Sequence, residues 1–180
     1  MLYSELQCSE AIHKAVERMG FAEMTEIQEK TIPVMMAGHD VIAKAPTGTG
    51  KTCAFGIPVA EHILPENKYP QAVIMAPTRE LAQQIAEELT QLTYFMPEVQ
   101  VACVYGGANM EKQAKRLAEG CQIVVATPGR LMDHYKHHSI DISHVTQIVL
   151  DEADEMLNMG FYKDVRHIIE MMKARKALSM

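Results

Sequence analysis

The sequence predicts an α/β fold in which helices cover both faces of a parallel sheet. Short apolar runs of strand type alternate with amphipathic helical patterns along the chain, and short connections join them. No long Pro/Ser-rich linker or internal repeat interrupts the alternation. Such alternation predicts βαβ units, and 180 residues with 48% hydrophobic content suffice for one domain with a substantial core.

The predicted strands are short, apolar and mostly rich in β-branched residues, as buried strands are. They cover residues 41–43, 72–76, 99–104, 123–126 and 147–150. The helical patterns space apolar residues three and four positions apart, so each helix has one face for the core. These faces are Ile12, Ala15, Val16 and Met19, ended by Gly20; Leu81, Ile85, Leu89 and Leu92; and Phe161, Val165, Ile168, Ile169 and Met172, in a helix over 161–173.

A Gly-rich segment between the first predicted strand and a helical pattern indicates a polyphosphate site. Gly48 and Gly50 allow backbone conformations in which successive N–H groups turn inward at a helix N-terminus and bind an anion. Lys51 can then reach the β- and γ-phosphates, and the Thr52 hydroxyl can coordinate Mg²⁺. Ala45 stands where the strict pattern has its first glycine. The predicted nucleotide-binding residues of this loop are Ala45, Pro46, Thr47, Gly48, Thr49, Gly50, Lys51 and Thr52.

The predicted strand 147–150 ends in an Asp-Glu-Ala-Asp segment at 151–154. The carboxyl edge of an open parallel sheet is where α/β folds bind ligands. We expect Asp151 to hold Mg²⁺ through water and Glu152 to orient or deprotonate the attacking water, since phosphoryl transfer depends chiefly on positioning and charge stabilisation. Asp154 can couple this site to neighbouring segments. With the phosphate loop, this segment predicts a nucleotide hydrolase whose catalytic residues are Lys51, Asp151, Glu152 and Asp154.

Further segments give the chain a resemblance to a known family. They are Gly20-Phe21 with Thr25-Glu26-Ile27-Gln28, Pro77-Thr78-Arg79-Glu80-Leu81, Gly106-Gly107 and Thr127-Pro128-Gly129-Arg130. With the phosphate loop and the acidic segment, the chain resembles the first RecA-like domain of a DEAD-box ATP-dependent RNA helicase over essentially its whole length. The resemblance implies a RecA-like P-loop NTPase fold over 1–180, with a Q motif at about residues 1–29. Residues 155–161 are similar to bacterial members that act in ribosome assembly and cold adaptation.

The resemblance assigns Gln28 to the edge of adenine, where a side-chain amide can donate and accept, and so implies ATP rather than GTP. Read from the residues alone, Thr25 and Gln28 form a capping box, and the two roles are compatible. Tyr3 stands where the family usually carries Phe, which implies an aromatic contact near the base, and Phe21 is a second candidate for this contact. Two prolines common in this motif are replaced, which leaves the rigidity of the turn open. The replacing residues are Met24 and Glu26.

Three other loops each follow a predicted strand, so a parallel sheet places them at one edge. The resemblance implies that these loops bind the sugar-phosphate backbone of a single RNA strand. Exposed N–H groups, hydroxyls, helix N-termini and guanidinium groups suit phosphate contacts, which carry little sequence information. The predicted RNA-binding residues are Pro77, Thr78, Arg79, Gly106, Gly107, Thr127, Pro128, Gly129 and Arg130.

Composition limits the class of protein. The net charge of −6 is untypical of a general polyanion binder, so RNA affinity must come from a local patch or a second domain. The four cysteines have no metal-ligand spacing and predict reduced thiols in a cytoplasmic protein. No apolar run approaches bilayer length, so we expect no membrane partner. His134, His137 and His138 are expected at a solvated helix end rather than in a metal site.

The chain stops at Met180, before the Ser-Ala-Thr motif and the second RecA-like domain of the family. We therefore expect a monomeric fragment that alone is nearly inactive, with feeble or absent ATP hydrolysis, because the second domain supplies arginine fingers. The intact protein is expected to bind single-stranded RNA and unwind short duplexes by ATP-driven domain closure.

The same residues are compatible with other functions to different degrees. A non-unwinding ATP-dependent RNA clamp or adaptor and a DNA-directed motor remain alternatives. A P-loop GTPase is disfavoured because residues 67–70 lack the Asp that reads guanine. A transporter ATPase is disfavoured because no Leu-Ser-Gly-Gly-Gln segment occurs.

Overall fold

In a computed structural model, residues 1–46, 48–172 and 177–179 are described. They form a parallel sheet with strand order β2-β3-β1-β4-β5. The strands are β1 (Ala72–Met75), β2 (Val101–Val104), β3 (Ile123–Ala126), β4 (Gln147–Leu150) and β5 (Ala177–Ser179). The helices are α1 (Glu10–Arg18), α2 (Glu26–Met36), α3 (Lys51–Glu61), α4 (Arg79–Leu92), α5 (Met110–Ala118), α6 (Pro128–Lys136), α7 (Ala153–Asn158) and α8 (Tyr162–Met171).

Each face of the sheet has its own core, because neighbouring residues of a strand point to opposite faces. Val73 and Met75 of β1 pack with apolar residues of α5, α6, α7 and α8. Ala72 and Ile74 pack with apolar residues of α2, α3 and α4. β1, β3 and β4 are buried along their whole length, as expected for a parallel sheet covered on both sides. The predicted α/β fold is therefore confirmed.

The amphipathic patterns predicted the helices closely. α1 buries Ile12, Ala15 and Val16 and ends just before Gly20, whose φ is +82°. α4 and α8 cover the other two predicted apolar faces. The predicted end of the last helix, at residue 173, lies outside the described residues.

The predicted strand at 41–43 is not a strand in the structure. Val41 makes a single bridge, and Ile42 is 81% exposed. An apolar β-branched run becomes a strand only where a neighbour supplies ladder hydrogen bonds and burial. Within the described part of the sheet, β4 and β5 pair with each other, and no strand pairs with this segment.

Sheet order arranges the predicted functional loops at the carboxyl ends of the strands. The loops at 106–107, 127–130 and 77–79 follow β2, β3 and β1, which are neighbours in the sheet. The acidic segment follows β4, the next strand along. The predicted RNA loops therefore lie on one side and the predicted nucleotide site on the other. Among the described residues, none of the helices has both the length and the apolar character needed to span a bilayer.

Candidate functional site

A cleft of about 690 Å³ lies at the carboxyl end of β4. Its wall includes Lys51 from the phosphate loop and Asp151, Glu152 and Asp154 from the acidic segment. These residues come from distant parts of the chain and were predicted to act together. The wall also includes Ala45 and Pro46 and, from α2, Ile27 and Thr31. Thr47, a predicted nucleotide-binding residue, lies outside the described residues.

Gly50 is the N-cap residue immediately before α3 and has a left-handed conformation with φ +81°. A Cβ at this position would overlap the amide nitrogen of Gln28. Glycine is therefore required here both by the backbone conformation and by the close approach of another side chain. Thr49 closes the loop with a 2.6 Å hydrogen bond from its hydroxyl to the Pro46 carbonyl.

Gln28 is 3% exposed and is held by its neighbours rather than by solvent. Its Oε1 accepts from the Tyr3 hydroxyl at 2.5 Å and from the Thr25 N–H at 2.9 Å, and its Nε2 donates to the Gly50 carbonyl at 3.0 Å. The capping box predicted from Thr25 and Gln28 is present. This geometry links the first residues of the chain to the phosphate loop.

The two predicted aromatic residues differ in access. Tyr3 is 5% exposed, whereas Phe21 is 45% exposed, and their rings stack with centroids 6.4 Å apart. Burial raises the pKa of the Tyr3 hydroxyl, so it is a hydrogen-bond donor at neutral pH. Phe21 therefore offers the more accessible ring to a planar ligand, while Tyr3 lies behind it.

The acidic segment combines burial with backbone strain. Asp151 is half-buried, and burial raises the pKa of its carboxyl above 3.8, while the charge of Lys51 opposes this shift. Glu152 immediately precedes α7 and has φ +53°. Residues other than glycine rarely adopt this left-handed backbone conformation. Such outliers cluster at functional sites, where the surrounding structure holds them.

Glu88 on α4 joins this site and was missed from the sequence. Burial raises the pKa of the Glu88 carboxyl, a hydrogen bond with Thr52 lowers it, and the charge of Asp151 raises it. A signal existed, since Glu88 lies three residues after Ile85 and beside the apolar face of α4. An acidic side chain on the border of a buried face is a candidate for an inward contact.

Two oxygen donors, one in the cleft wall and one on the residue after Lys51, suit a small hard cation. Thr52 and Asp151 offer a hydroxyl and a carboxylate, and Mg²⁺ takes few protein ligands beside phosphate oxygens and water. Within the described residues, no three His, Cys, Asp or Glu side chains form a group that could enclose a metal ion. A cation here would therefore share its coordination with a bound polyphosphate.

The predicted RNA loops contact one another at the sheet edge. Arg79 is exposed, and its guanidinium carbon lies 4.9 Å from the centre of the Tyr105 ring, beside Gly107. Gly107 has φ +84°, so the loop after β2 turns sharply there. The Thr78 hydroxyl accepts from the Leu81 N–H at 3.2 Å and thereby caps α4. The other predicted residues that the structure brings to this edge are Pro77, Gly106, Thr127, Pro128 and Gly129.

Arg130 and His134 on α6 differ from the expectation of solvent-facing side chains. The Arg130 side chain is only 13% exposed and faces the loop after β2. His134 is fully buried, so its predicted place at a solvated helix end is wrong. The helical repeat explains the error, because position 134 lies three residues after the fully buried Leu131, on a neighbouring part of the same face of α6. His137 and His138 are exposed at the helix end, as predicted.

Comparison with known proteins identifies similar chains. A sequence profile of the DEAD/DEAH box helicase family matches residues 25–180. The chain is 51% identical over 170 residues to the ATP-dependent RNA helicase CshA of Limosilactobacillus reuteri, covering 94% of this chain and 34% of that protein. It is 44% identical over 167 residues to the ATP-dependent RNA helicase DeaD of Escherichia coli (strain K12), covering 93% and 27%. The chain thus spans about a third of the length of such relatives.

Solved structures give the same picture. A DEAD box protein from the hyperthermophile Methanococcus jannaschii superposes with a TM-score of 0.91 at 39% identity, over 99% of this chain and 49% of the other. A hypothetical ATP-dependent RNA helicase from Sulfolobus tokodaii has a TM-score of 0.87 at 40% identity, over 95% and 49%.

Proposed function

The chain belongs to the DEAD/DEAH box helicase family, and on that premise we propose that it is the ATP-binding domain of an ATP-dependent RNA helicase. The observation that supports this most directly is the shared cleft wall of Lys51, Asp151 and Glu152. The Lys51 ammonium group, from the phosphate loop, and the carboxylates of Asp151 and Glu152, at the end of β4, line the same cleft. Transfer of a metal-bound phosphoryl group requires such an arrangement of charges.

The residues of the cleft have distinct proposed roles. Lys51 binds the β- and γ-phosphates, and backbone N–H groups of residues 48–52 surround the polyphosphate. Thr52 and Asp151 would hold Mg²⁺, which neutralises phosphate charge when bound. Glu152 orients the attacking water and accepts its proton. Asp154 couples this site to neighbouring segments.

The base is proposed to bind between Phe21 and Gln28. Phe21 provides an accessible ring for stacking, and the Gln28 amide lies against the phosphate loop. An amide that both donates and accepts can distinguish adenine from guanine. The site is therefore proposed to prefer ATP and ADP over GTP and GDP.

RNA is proposed to bind across the ends of β2, β3 and β1. Three adjacent loops offer an exposed guanidinium from Arg79, backbone N–H groups at Gly106 and Gly107, and the N-terminus of α6. Such contacts read the backbone and not the bases. With a net charge of −6, the chain depends on this local patch for its affinity.

A second RecA-like domain is proposed to complete the active protein. The relatives are about three times as long as this chain, which leaves room for such a domain. Closure of two domains on ATP and RNA would strain and separate a short duplex. We also predict that this chain is monomeric and that the protein acts in the cytoplasm.

Calorimetric titration with Mg·ADP and Mg·GDP tests the nucleotide site. We expect selective ADP binding that is lost in Lys51→Ala and loses its selectivity in Gln28→Ala. Equal binding of ADP and GDP by the wild-type chain would remove the role given to Gln28. Lys163→Ala is a matched control, because Lys163 is an exposed lysine on α8 that does not line the cleft.

A non-unwinding ATP-dependent RNA clamp or adaptor remains the second candidate, since it would use the same cleft. Glu152→Gln in the full-length protein separates the two. For an enzyme, this variant binds ATP and RNA but loses turnover. A clamp that does not depend on hydrolysis would function equally well with either residue.

A further inference from the structure

The side chain of Arg130 is turned away from solvent and towards the loop that contains Gly106 and Gly107. Its Nη1 donates to the Ala108 carbonyl at 2.9 Å and to Oε1 of Gln113 at 3.1 Å. Its Nε is buried without a hydrogen bond and lies 3.7 Å from a carboxylate oxygen of Asp133. Nη1 of the guanidinium is therefore already engaged by two acceptors of the protein itself.

Gln113 on α5 holds the other end of the same loop. Its Nε2 donates to the Tyr105 carbonyl at 3.0 Å, and the side chain is 8% exposed. Tyr105 and Ala108 immediately flank Gly106 and Gly107, so one amide and one guanidinium fix the carbonyls on both sides of the glycine pair. Gln113 and Arg130 also bond to each other, which joins the two attachments.

His134 on α6 makes a further hydrogen bond to Gln113. Its Nε2 lies 2.9 Å from Oε1 of Gln113, which only accepts, so this nitrogen carries the hydrogen. Nδ1 is buried without a partner, and burial followed by the charge of Arg130 lowers the pKa of the ring. The ring is therefore a neutral donor that fixes the orientation of the Gln113 amide.

We propose that Arg130, Gln113 and His134 form a clamp that holds the glycine loop after β2 against the N-terminus of α6. The clamp makes the backbone N–H groups of the two loops one rigid surface for a nucleic-acid strand. In this role Arg130 is a positioning residue and not a phosphate ligand, unlike the exposed Arg79. The inference deepens the proposed RNA-binding function and rests on it.

The test compares variants by fluorescence anisotropy with a single-stranded oligouridine of about ten nucleotides over a range of salt concentrations. Arg130→Lys keeps the charge but loses the planar guanidinium, and Gln113→Met keeps the shape but loses all three side-chain hydrogen bonds of Gln113. We expect each to weaken binding by roughly tenfold with an unchanged salt dependence. Arg79→Ala should reduce the salt slope by about 0.7, as loss of one phosphate contact does.

Two further variants separate positioning from general packing. His134→Leu should weaken binding as Gln113→Met does, whereas His134→Gln retains an amide donor and should restore most of the affinity. Arg166→Lys is the matched control, because Arg166 is exposed on α8 and pairs with Glu170. Its affinity should equal that of the wild-type chain.

NMR of the backbone amides keeps the clamp testable without RNA. The Gly106 and Gly107 amide resonances should shift in Arg130→Lys and Gln113→Met but stay in place in Arg166→Lys. Wild-type affinity in Arg130→Lys and Gln113→Met, or unmoved glycine resonances, would overturn the clamp. If the wild-type chain binds no oligouridine at any salt, the proposed RNA function fails for this chain, and the glycine resonances still decide whether the clamp exists.

Discussion

Three hydrogen bonds within the protein hold the Gln28 side chain. Both lone pairs of its Oε1 are used, by the Tyr3 hydroxyl and the Thr25 N–H. Its Nε2 has one hydrogen on the Gly50 carbonyl and one remaining. To accept from the amino group of adenine, Oε1 must release one of its present donors. We therefore predict that the Tyr3 hydroxyl competes with a bound adenine for Oε1 of Gln28.

Replacing Tyr3 by Phe should tighten adenine-nucleotide binding. The variant keeps the buried ring but removes the hydroxyl, which frees one acceptor position on Gln28. One neutral hydrogen bond is worth about 1 kcal/mol, so we expect a roughly fivefold lower Kd for Mg·ADP by calorimetry. Tyr105→Phe is the control, since it removes a hydroxyl that bonds to Gln83 away from the cleft. Weaker ADP binding in Tyr3→Phe would show that the hydroxyl positions Gln28 productively.

We expect the free energy of unfolding to fall in mild acid because of His134. Its pKa is lowered from 6.5, first by burial and then by the charge of Arg130, so the folded chain binds the proton less readily than the unfolded chain. The stabilisation is fully present above pH 6.5 and is lost as the pH falls from there towards the folded pKa. Urea denaturation should show a larger loss between about pH 7 and about pH 5 for the wild type than for His134→Gln. Parallel pH profiles would contradict this.

β1 and residues 41–43 differ in whether neighbouring strands pair with them. Both are short apolar runs with β-branched residues. β1 pairs with β3 on one side and β4 on the other and is fully buried. Ile74 is 0% exposed, whereas Ile42 is 81% exposed. The same local pattern therefore gives a fully buried central strand in one place and a partly exposed, non-strand segment in the other.

Two identical substitutions measure this difference. Ile74→Ala removes buried methyl groups and leaves a cavity, so we expect it to lower the free energy of unfolding by about 2–5 kcal/mol. Ile42→Ala should change it by less than about 0.5 kcal/mol, because the side chain is already in solvent. Urea denaturation of both variants gives the comparison. A large loss in Ile42→Ala would mean that residues 41–43 form a packed strand in solution.

At the scale of the whole molecule, sheet order separates the two proposed ligands while keeping them adjacent. The RNA loops follow β2, β3 and β1, and the acidic segment follows β4 beside β1. The Asp151 N–H donates to the Met75 carbonyl at 3.0 Å, so the acidic segment starts directly beside the loop after β1. A second domain that closes over this edge would contact both ligands at once.

Such closure predicts reciprocal binding in the full-length protein. If ATP and RNA stabilise the same closed state, a non-hydrolysable ATP analogue must tighten RNA binding by the same factor by which RNA tightens the analogue. Typical couplings are about 5- to 150-fold. Anisotropy with labelled RNA and with a labelled analogue gives the two factors. Equal RNA affinity with and without the analogue would exclude closure as the mechanism.

Local patterns predicted the α/β fold, the family and the phosphate-loop and acidic residues Ala45, Pro46, Lys51, Asp151, Glu152 and Asp154, which the structure places in one cleft. Apolar residues that recur every two positions in a strand, or every 3.6 in a helix, show which face is buried. The phosphate loop and the acidic segment are each contiguous motifs, so a few neighbouring residues carry their chemistry. The tertiary structure alone decided the partners of buried polar groups. Gln28 reaches Gly50, Arg130 reaches Ala108, and His134 reaches Gln113, each more than twenty residues away. Such pairs leave no local pattern, because a buried polar group must find a partner wherever packing provides one, and only the folded chain brings these groups together.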